Sequence, residues 1–558
     1  MRVLCVFAVL LGVWDLASAL DREAFTFTKY DLDVRLEPEQ QRLGVRGKIT
    51  LRNDSSTAQK DLALQISSSL DWRSIKVNGK TVEFVTEEFN SDLDHTGAFS
   101  EAIVTVPDVP AKGVIELEVG YEGIVPLAVT RLTRIGVPED QAKHSDWDQI
   151  GKSFTAVRGI GYVTWYPIAT EDASLSDGNS VAETIGRWQA KEASAEMQVK
   201  FESTSSATIL FSSSPGAEHA GSHQGKGVRF SILGFGISAP TLVMADYEKL
   251  TPKDSVAVYY LPGQQPAAES YGEVAAQLDP VVPGGGGTAS FEILGLPDAA
   301  AQPFVTQGML LTPLQLPMTN EAELSMVYAK ARASLRSPRA WIEDGLAHFA
   351  QAEFIEKQKG RPAALDYLKA HATVLMEAEK PASERPGSQD STRSLITAPD
   401  DLVLQTKAMY VWWMLKDMLG RLPEDALANY HAADDQEVSY LERLIEKSQQ
   451  RDLGWFFDDW VYHDRGLPDF RIDSVYSSPV PSGGFLVTVA VENLGSAGAE
   501  VPVTLQVEGA EITKRLEVRA KSKASIRIQV ASPPPLVRLN DGSVPESGLS
   551  EHTYKPPG

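Results

Sequence analysis

The chain has 558 residues, a formal net charge of −23 and a single cysteine, Cys5. That length predicts about three to four domains of ordinary size. A surface this acidic repels phosphate groups, which argues against nucleic acid or an anionic membrane as a partner. One cysteine excludes an internal disulfide framework, a cysteine-based zinc site and an iron–sulfur cluster.

Residues 1–19 have the pattern of a secretory signal peptide. Arg2 precedes the apolar run 3–13, and Ala17-Ser18-Ala19 forms a small-residue cleavage site. The run is short for a membrane anchor, and no later run is long enough to span a bilayer. We therefore expect an exported, periplasmic or extracellular protein whose mature chain begins at Leu20 and contains no cysteine.

Residues 20–250 are predicted to form a large β-rich domain. Apolar and polar residues alternate over 30–36 and again over 115–121, which is the period of a half-buried strand. Asn78-Gly79, between two short apolar stretches, is a strong hairpin signal.

Residues 251–466 are predicted to form a mixed, mostly helical domain. Its first part carries three element signals: a strand over 256–261, a helix over 267–278 and a strand over 291–296. From residue 320 the period is helical, with Asn320 and Glu323 as a cap, and Ser337-Pro338 begins a second helix. Further helices are expected from Arg361 and over 402–420. The glycine run 284–287 predicts a loop, because it lacks the Lys-Ser/Thr of a phosphate-binding loop.

The last part of the chain returns to period two. Four strand signals between 485 and 530 predict a small β-sandwich over 467–535. Residues 536–558, which follow the triplet Pro533-Pro534-Pro535, are predicted to be a tail.

Several local motifs occur in a characteristic order along the chain: Tyr30-Asp31-Leu32-Asp33, Trp165-Tyr166-Pro167, the stretch from Trp341 to Ala347, Lys407-Ala408-Met409, and the stretch from Trp455 to Trp460. In this order and spacing they resemble the zinc aminopeptidases of the aminopeptidase N and leukotriene-hydrolase type. The resemblance covers most of the mature chain. It implies an N-terminal β-saddle or sandwich, a central thermolysin-like α+β and helical domain, and a C-terminal immunoglobulin-like β-sandwich.

The chemistry of that family needs H-E-x-x-H on one helix and a glutamate from the next. The two histidines and the glutamate hold zinc, the first Glu is the general base, and a tyrosine stabilises the oxyanion. No H-E-x-x-H occurs among the nine histidines of this chain. His219 and His223 are four residues apart, but they lie in a Gly/Ser-rich stretch without a third ligand nearby.

The resemblance assigns other residues to the positions of the zinc site. Tyr328 and Arg332 stand where the histidines would be, and Ala329 stands where the general base would be. Asp344 takes the place of the third ligand, although it follows Arg332 more closely than the family spacing allows. Gln405 takes the place of the catalytic tyrosine. The segment 305–309 lies roughly where the family binds the amine of its substrate, without the motif that does so.

These substitutions are chemically incompatible with the family's zinc site. Arginine is permanently cationic and cannot ligate zinc, and alanine cannot transfer a proton. We expect Arg332 to stand where the metal cation stood and to pair with Asp344, with their charged groups within about 6 Å. Tyr328 would lie one turn earlier on the same helix face. The alternative is that Arg332 and Asp344 are separate surface charges.

Three functions are compatible with the sequence. The first is a non-catalytic aminopeptidase-like protein that binds a peptide or protein in its central cleft and uses no cofactor. The second is an active zinc aminopeptidase with non-standard ligands, with Asp344 and His348 four residues apart on one helix, supported by His371 or Glu343. The third is a structural or assembly protein of the cell envelope whose terminal sandwich mediates contacts.

Overall fold

Strands dominate the first half of the chain in a computed structural model of the protein. The structure describes residues 20–178, 180–212, 227–253, 255–278, 291–378, 394–396, 404–463, 465–481, 483–507, 509–548 and 552–555. The predicted signal peptide, the pair His219 and His223, and the glycine run 284–287 lie outside the described residues.

The N-terminal elements are β1 Phe25–Glu37, β2 Arg42–Asn53, β3 Gln59–Ser67, β4 Leu70–Val77, β5 Lys80–Thr81, β6 Phe84–Asn90, β7 Ala98–Val109, β8 Val114–Ile124, α1 Thr130–Arg134, α2 Glu139–Ser145, β9 Phe154–Val157, α3 Ser180–Glu192, β10 Glu196–Ser203, β11 Thr208–Phe211, β12 Val228–Ile232 and β13 Leu242–Ala245.

The N-terminal strands form three sheets around one apolar core. The largest is seven-stranded, in the order β12-β10-β1-β2-β8-β4-β5, and two three-stranded sheets have the orders β3-β7-β6 and β11-β13-β9. The alternation read from the sequence decides which face is buried: Tyr30, Leu32 and Val34 point into the core. The predicted hairpin is confirmed, because Asn78 and Gly79 both have positive φ and join β4 to β5.

Glu192, the last residue of α3, is a buried carboxyl group inside this core. It is 1% exposed, and its Oε1 accepts a hydrogen bond of 3.0 Å from the backbone N–H of Phe27. Burial raises its pKa from 4.5 to about 8, against the opposing effects of that hydrogen bond and of Lys191. Glu192 is therefore uncharged in the folded protein at neutral pH.

This group makes stability depend on pH. Between pH 4.5 and about 8 the folded protein keeps the Glu192 proton while the unfolded chain has lost it. The free energy of unfolding should therefore fall as the pH rises through this window, by on the order of 5 kcal/mol in total. Glu192→Gln should remove this slope and stabilise the protein at pH 8, whereas Glu196→Gln, on an exposed residue, should change nothing. Urea denaturation at pH 5 and pH 8 measures the difference, and equal slopes for the wild type and Glu192→Gln would contradict it.

The central part combines a small sheet with a set of helices. Its elements are β14 Glu248–Lys253, β15 Val256–Tyr260, α4 Gln265–Gln277, β16 Phe291–Gly295, β17 Phe304–Thr306, β18 Met309–Thr312, α5 Asn320–Ser334, α6 Ala340–Lys359, α7 Arg361–Ala378, α8 Met409–Leu419, α9 Glu424–Ala428, α10 Tyr440–Gln449 and α11 Gly454–Phe457. The sheet has five strands in the order β14-β15-β16-β18-β17, so β17 is an edge strand.

Two predicted helix starts are corrected by the structure. The cap of α5 is Thr319, not Asn320, because the Thr319 hydroxyl accepts the backbone N–H of Ala322. Helix α6 begins at Ala340 rather than at Ser337-Pro338, and the Ser337 side chain instead accepts the N–H of Arg339 in the preceding turn. Residues Leu404–Ala408, predicted as part of an α-helix, form a π-helical turn before α8.

The C-terminal part is a β-sandwich of two sheets. Its strands are β19 Phe470–Pro479, β20 Phe485–Asn493, β21 Ala499–Val507, β22 Ala510–Val518, β23 Ser522–Val530, β24 Leu536–Leu539 and β25 His552–Tyr554. The sheet orders are β19-β20-β23 and β22-β21-β24-β25. The predicted tail, 536–558, is therefore wrong in part: Val537 and Leu539 are buried in the sandwich, and β25 pairs with β24. These strands are too short for their period to be recognised after the proline triplet.

Within the described part of the chain, none of the helices combines the length and the apolar character needed to cross a membrane.

Candidate functional site

A cleft of about 430 Å³ lies where the N-terminal domain meets β17 and the helices α5 and α6. This volume is in the range of small-ligand sites. The apolar and aromatic lining residues, called the aromatic wall below, are Ile160, Tyr162, Ile185, Ile237, Ala239, Pro303, Phe304 and Val305. The polar lining residues of the helical part, called the polar wall below, are Ser325, Tyr328, Arg332, Asp344, His348, Gln351 and Gln405, and Gln189, Ser238 and Thr306 also line the cleft.

Close packing of α5 against α6 positions the polar wall. Val327 and Ala331 of α5 pack on Ala347 and Ala350 of α6, and these small side chains let the two helices approach closely. Ser325, Tyr328 and Arg332 follow the spacing i, i+3, i+7 and therefore share the face of α5 that borders the cleft.

Arg332 carries a cation into this cleft. Its side chain is 10% exposed, and its Nη2 donates to Ser238 Oγ at 3.0 Å and to Glu343 Oε1 at 3.4 Å. Its Nε lies 3.9 Å from Asp344 Oδ1, within the 6 Å expected from the sequence. Although burial lowers the pKa of Arg332, its interactions with Tyr328, Glu343 and Asp344 outweigh this effect and raise the pKa above its ordinary value. Arg332 and Asp344 are thus not separate surface charges.

Asp344 is surrounded by donors. The Tyr328 hydroxyl donates to Asp344 Oδ1, and His348 Nε2 lies 3.5 Å from Asp344 Oδ2. Burial by itself raises the pKa of Asp344, but His348, Arg332 and Tyr328 together lower it to about 2. Asp344 is therefore an anion at neutral pH, with both of its oxygens in contact with protein groups.

Glu343 is a second carboxyl group beside Arg332. Its Oε2 accepts the backbone N–H of Ser337 at 2.9 Å, and it is 5% exposed. Burial raises the pKa of Glu343, and the nearby Arg332 and Arg336 oppose this rise. Two carboxyl groups and two arginines are thus grouped at the base of the polar wall. The sequence motif pointed to Asp344, but only the fold shows that the hydrogen-bonded partner of Arg332 is Glu343.

The fold brings only some of the other residues singled out from the sequence into the cleft. Gln405 lies on the π-helical turn Leu404–Ala408, is exposed, and borders the same cleft as Arg332. Ala329 does not border the cleft; it is buried in an apolar cluster with Met326 and Leu310. Gln307, in the segment 305–309, points away to the N-terminal domain, where its Nε2 donates to the carbonyls of Gly234 and Phe235.

The alternative metal ligands are already in contact with other protein groups. His348 Nε2 faces Asp344, and its Nδ1 lies 3.1 Å from Gln351 Oε1, so both ring nitrogens are directed at oxygen acceptors. His371 is held by the carbonyl oxygen of Tyr367 at 2.8 Å and does not border the cleft. In the described part of the chain, no group of three or more His, Cys, Asp or Glu side chains is arranged to hold a metal ion. A guanidinium within 4 Å of the candidate carboxylates would also repel zinc. The described residues therefore do not fit the family's zinc site.

The aromatic wall was not predicted from the sequence. Tyr162 contacts Phe304 edge to face at 5.5 Å, and the guanidinium of Arg158 lies 3.4 Å from the centre of the Tyr162 ring. Arg158 and Phe304 are separated by more than 140 positions in the chain, and none of these three residues belongs to a short motif. Only the fold brings them together.

Comparisons with known proteins bear on the fold. Among solved structures, the chain is similar to an aminopeptidase A from Legionella pneumophila in complex with aspartic acid, with a TM-score of 0.57 and 14% identity. The match covers 95% of this chain but 59% of the Legionella chain. A variant of an M1 zinc metallopeptidase from Deinococcus radiodurans, bound to a Tyr-Ser-Ala substrate, has a TM-score of 0.46 and 13% identity, over 79% of this chain and 95% of that chain.

No protein-family model and no curated protein matches the sequence. The chain therefore has a multidomain, aminopeptidase-like fold, rich in sheet and with a helical part. At this level of identity the similarity concerns the fold alone.

Proposed function

We propose that this chain is an exported protein of aminopeptidase-like fold that binds peptides or protein segments in its cleft without hydrolysing them. The observation that carries the proposal is the position of the Arg332 guanidinium, between Glu343 and Asp344 in the cleft. In the correspondence that the family resemblance implies, this fixed protein cation would stand where the family holds zinc. An arginine there offers hydrogen-bond donors to a ligand but neither an activated water nor a general base.

The edge strand β17 supports a peptide as the ligand. Phe304, Val305 and Thr306 all border the cleft, and β17 is the last strand of its sheet. Among the described residues no strand pairs with the other side of its backbone, and we expect an extended peptide to add there as a further strand. A peptide in this position would also pass along the aromatic wall of Tyr162.

The alternative of an active zinc aminopeptidase receives less support. It requires Asp344 and His348 to bind the metal, yet these two side chains contact each other and His348 is engaged at both nitrogens. Zinc would have to break these contacts and to approach Arg332.

The purified mature protein tests the proposal directly. We expect less than stoichiometric zinc by elemental analysis, no hydrolysis of aminoacyl p-nitroanilides with or without added zinc, and saturable binding of the tripeptide Ala-Ala-Phe by calorimetry. Ser325→Trp, which fills the cleft, should abolish this binding. Glu321→Trp, on an exposed residue one turn earlier on α5, is the matched control and should leave it unchanged.

Stoichiometric zinc together with hydrolysis would overturn the proposal in favour of the enzyme. The part that concerns export is tested separately by N-terminal sequencing, which should give Leu20 as the first residue of the protein recovered outside the cytoplasm.

A further inference from the structure

The cleft has unused hydrogen-bond donors but few unused charged acceptors. Asp344 is the one carboxylate among the described residues that border it. Its Oδ1 accepts from Tyr328 and faces Arg332, and its Oδ2 faces His348. A ligand ammonium group would therefore find a carboxylate whose oxygens are already engaged.

Arg332 is in the opposite situation. Its two hydrogen bonds, to Ser238 and Glu343, both use Nη2, and Nε faces Asp344. Tyr328 makes a further side-chain hydrogen bond with Arg332. A guanidinium has five N–H donors, and these four contacts leave one of them for a ligand in the cleft that Arg332 borders.

The surrounding charges do not prevent an anion from approaching. The negative charges of Asp344 and Glu343 are balanced by the positive charges of Arg332 and Arg336, and Arg336 interacts electrostatically with Glu343. The base of the polar wall is thus close to neutral when both carboxyl groups are ionised. The Arg332 side chain is nine-tenths buried, so water competes little for a hydrogen bond between its guanidinium and a ligand.

The two walls together define the shape of the ligand. A carboxylate on Arg332 would share the cleft with the apolar side chains of Tyr162, Phe304 and Ile237, and Ser238, which Arg332 hydrogen-bonds, follows Ile237 in the chain. We propose that the cleft selects peptides by a carboxylate placed next to a large apolar side chain, with Arg332 as the residue that binds the carboxylate. This inference rests on the proposed peptide-binding function. The same carboxylate chemistry occurs at a peptide C-terminus and on an acidic side chain.

The test compares four peptides on the unmodified protein by calorimetry. Acetyl-Ala-Ala-Phe has a terminal carboxylate and no amine, and Ala-Ala-Phe amide has an amine and no carboxylate. Acetyl-Ala-Ala-Phe amide has neither group, and acetyl-Ala-Glu-Phe amide carries its carboxylate on a side chain. We expect acetyl-Ala-Ala-Phe to bind about tenfold or more tightly than the neutral peptide, because a charge-assisted hydrogen bond is added.

The outcomes separate this inference from the proposed function. Tighter binding of acetyl-Ala-Glu-Phe amide than of acetyl-Ala-Ala-Phe supports the inference and identifies the side chain as the source of the carboxylate. Equal binding of the charged and neutral peptides, or tightest binding of Ala-Ala-Phe amide, overturns the inference while peptide binding stands. If none of the four binds at millimolar concentration, the proposed function fails as well.

A conservative variant tests the role of Arg332 itself. Arg332→Lys keeps the positive charge but loses the planar fork of donors. It should reduce the carboxylate preference to less than threefold and leave the affinity for the neutral peptide within twofold. Arg421→Lys, at an exposed position outside the cleft, should change neither affinity. A full carboxylate preference in Arg332→Lys would contradict the assignment.

Discussion

Arg332→Met is expected to lower the free energy of unfolding by about 3–5 kcal/mol. The substitution keeps most of the side-chain length but leaves Glu343 and Asp344, 5% and 8% exposed, without the cation between them. Arg336 near Glu343 and His348 beside Asp344 remain, but they compensate only part of the lost positive charge at two buried carboxylates. Chemical denaturation at pH 7 measures the loss.

The matched control is Arg421→Met. Arg421 is 69% exposed and forms an ion pair with Asp425, which is 73% exposed, so its removal should cost less than about 1 kcal/mol. The double variant Arg332→Met with Asp344→Asn should recover part of the loss, because one uncompensated charge is removed. A loss below about 1 kcal/mol for Arg332→Met alone would mean that water in the cleft solvates both carboxyl groups, against the arrangement described above.

Arg158→Met is expected to cost about 3–5 kcal/mol of stability and also to weaken peptide binding. The guanidinium, 2% exposed, donates from Nε and Nη2 to Asp148 Oδ2 at 2.8 and 2.6 Å. It also lies between the rings of Trp147 and Tyr162, 3.6 and 3.4 Å from their centres. Its removal leaves Asp148 buried and uncompensated and removes the cation–π contacts with Trp147, Tyr162 and Phe304.

The effect on binding follows because Tyr162 borders the cleft. Arg158 is therefore a positioning residue for the aromatic wall, and calorimetry with Ala-Ala-Phe should show weaker binding in Arg158→Met. Arg35→Met is the control, since Arg35 is 68% exposed in its pair with Glu37 and should contribute within about 0.5 kcal/mol. Unchanged peptide affinity in a folded Arg158→Met protein would contradict the positioning role.

Much of the local structure was predictable because it depends on short-range periodicity. The alternation over 30–36, the Asn78-Gly79 turn and the helical face of 320–335 each reflect preferences of neighbouring residues, and each is present in the fold. The predicted helix starts are wrong where a side-chain hydrogen bond, rather than the hydrophobic period, sets the first residue of the helix. The Thr319 hydroxyl moves the cap of α5, and the Ser337 turn delays the start of α6.

The candidate site was predictable only in outline. The spacing on α5 and the stretch from Trp341 to Ala347 indicated that Tyr328, Arg332 and Asp344 belong together, and the cleft contains all three. The same reasoning gave Ala329 a place in the site, whereas it is buried between α5 and the sheet. It also did not reveal that Arg332 hydrogen-bonds Glu343 and Ser238.

The sequence by itself determined the order of strand-rich and helical parts, the motifs that resemble the zinc aminopeptidases and the absence of H-E-x-x-H. The tertiary structure decided which side chains meet in the cleft. Ser238 is 94 residues from Arg332 in the chain, and Tyr162 and Phe304 reach the cleft from different domains. Such contacts leave no periodic pattern in the sequence, because they depend on how whole elements pack against one another. The cation in the cleft, the contacts of Asp344 and the aromatic residues that line the same cleft are therefore properties of the packing.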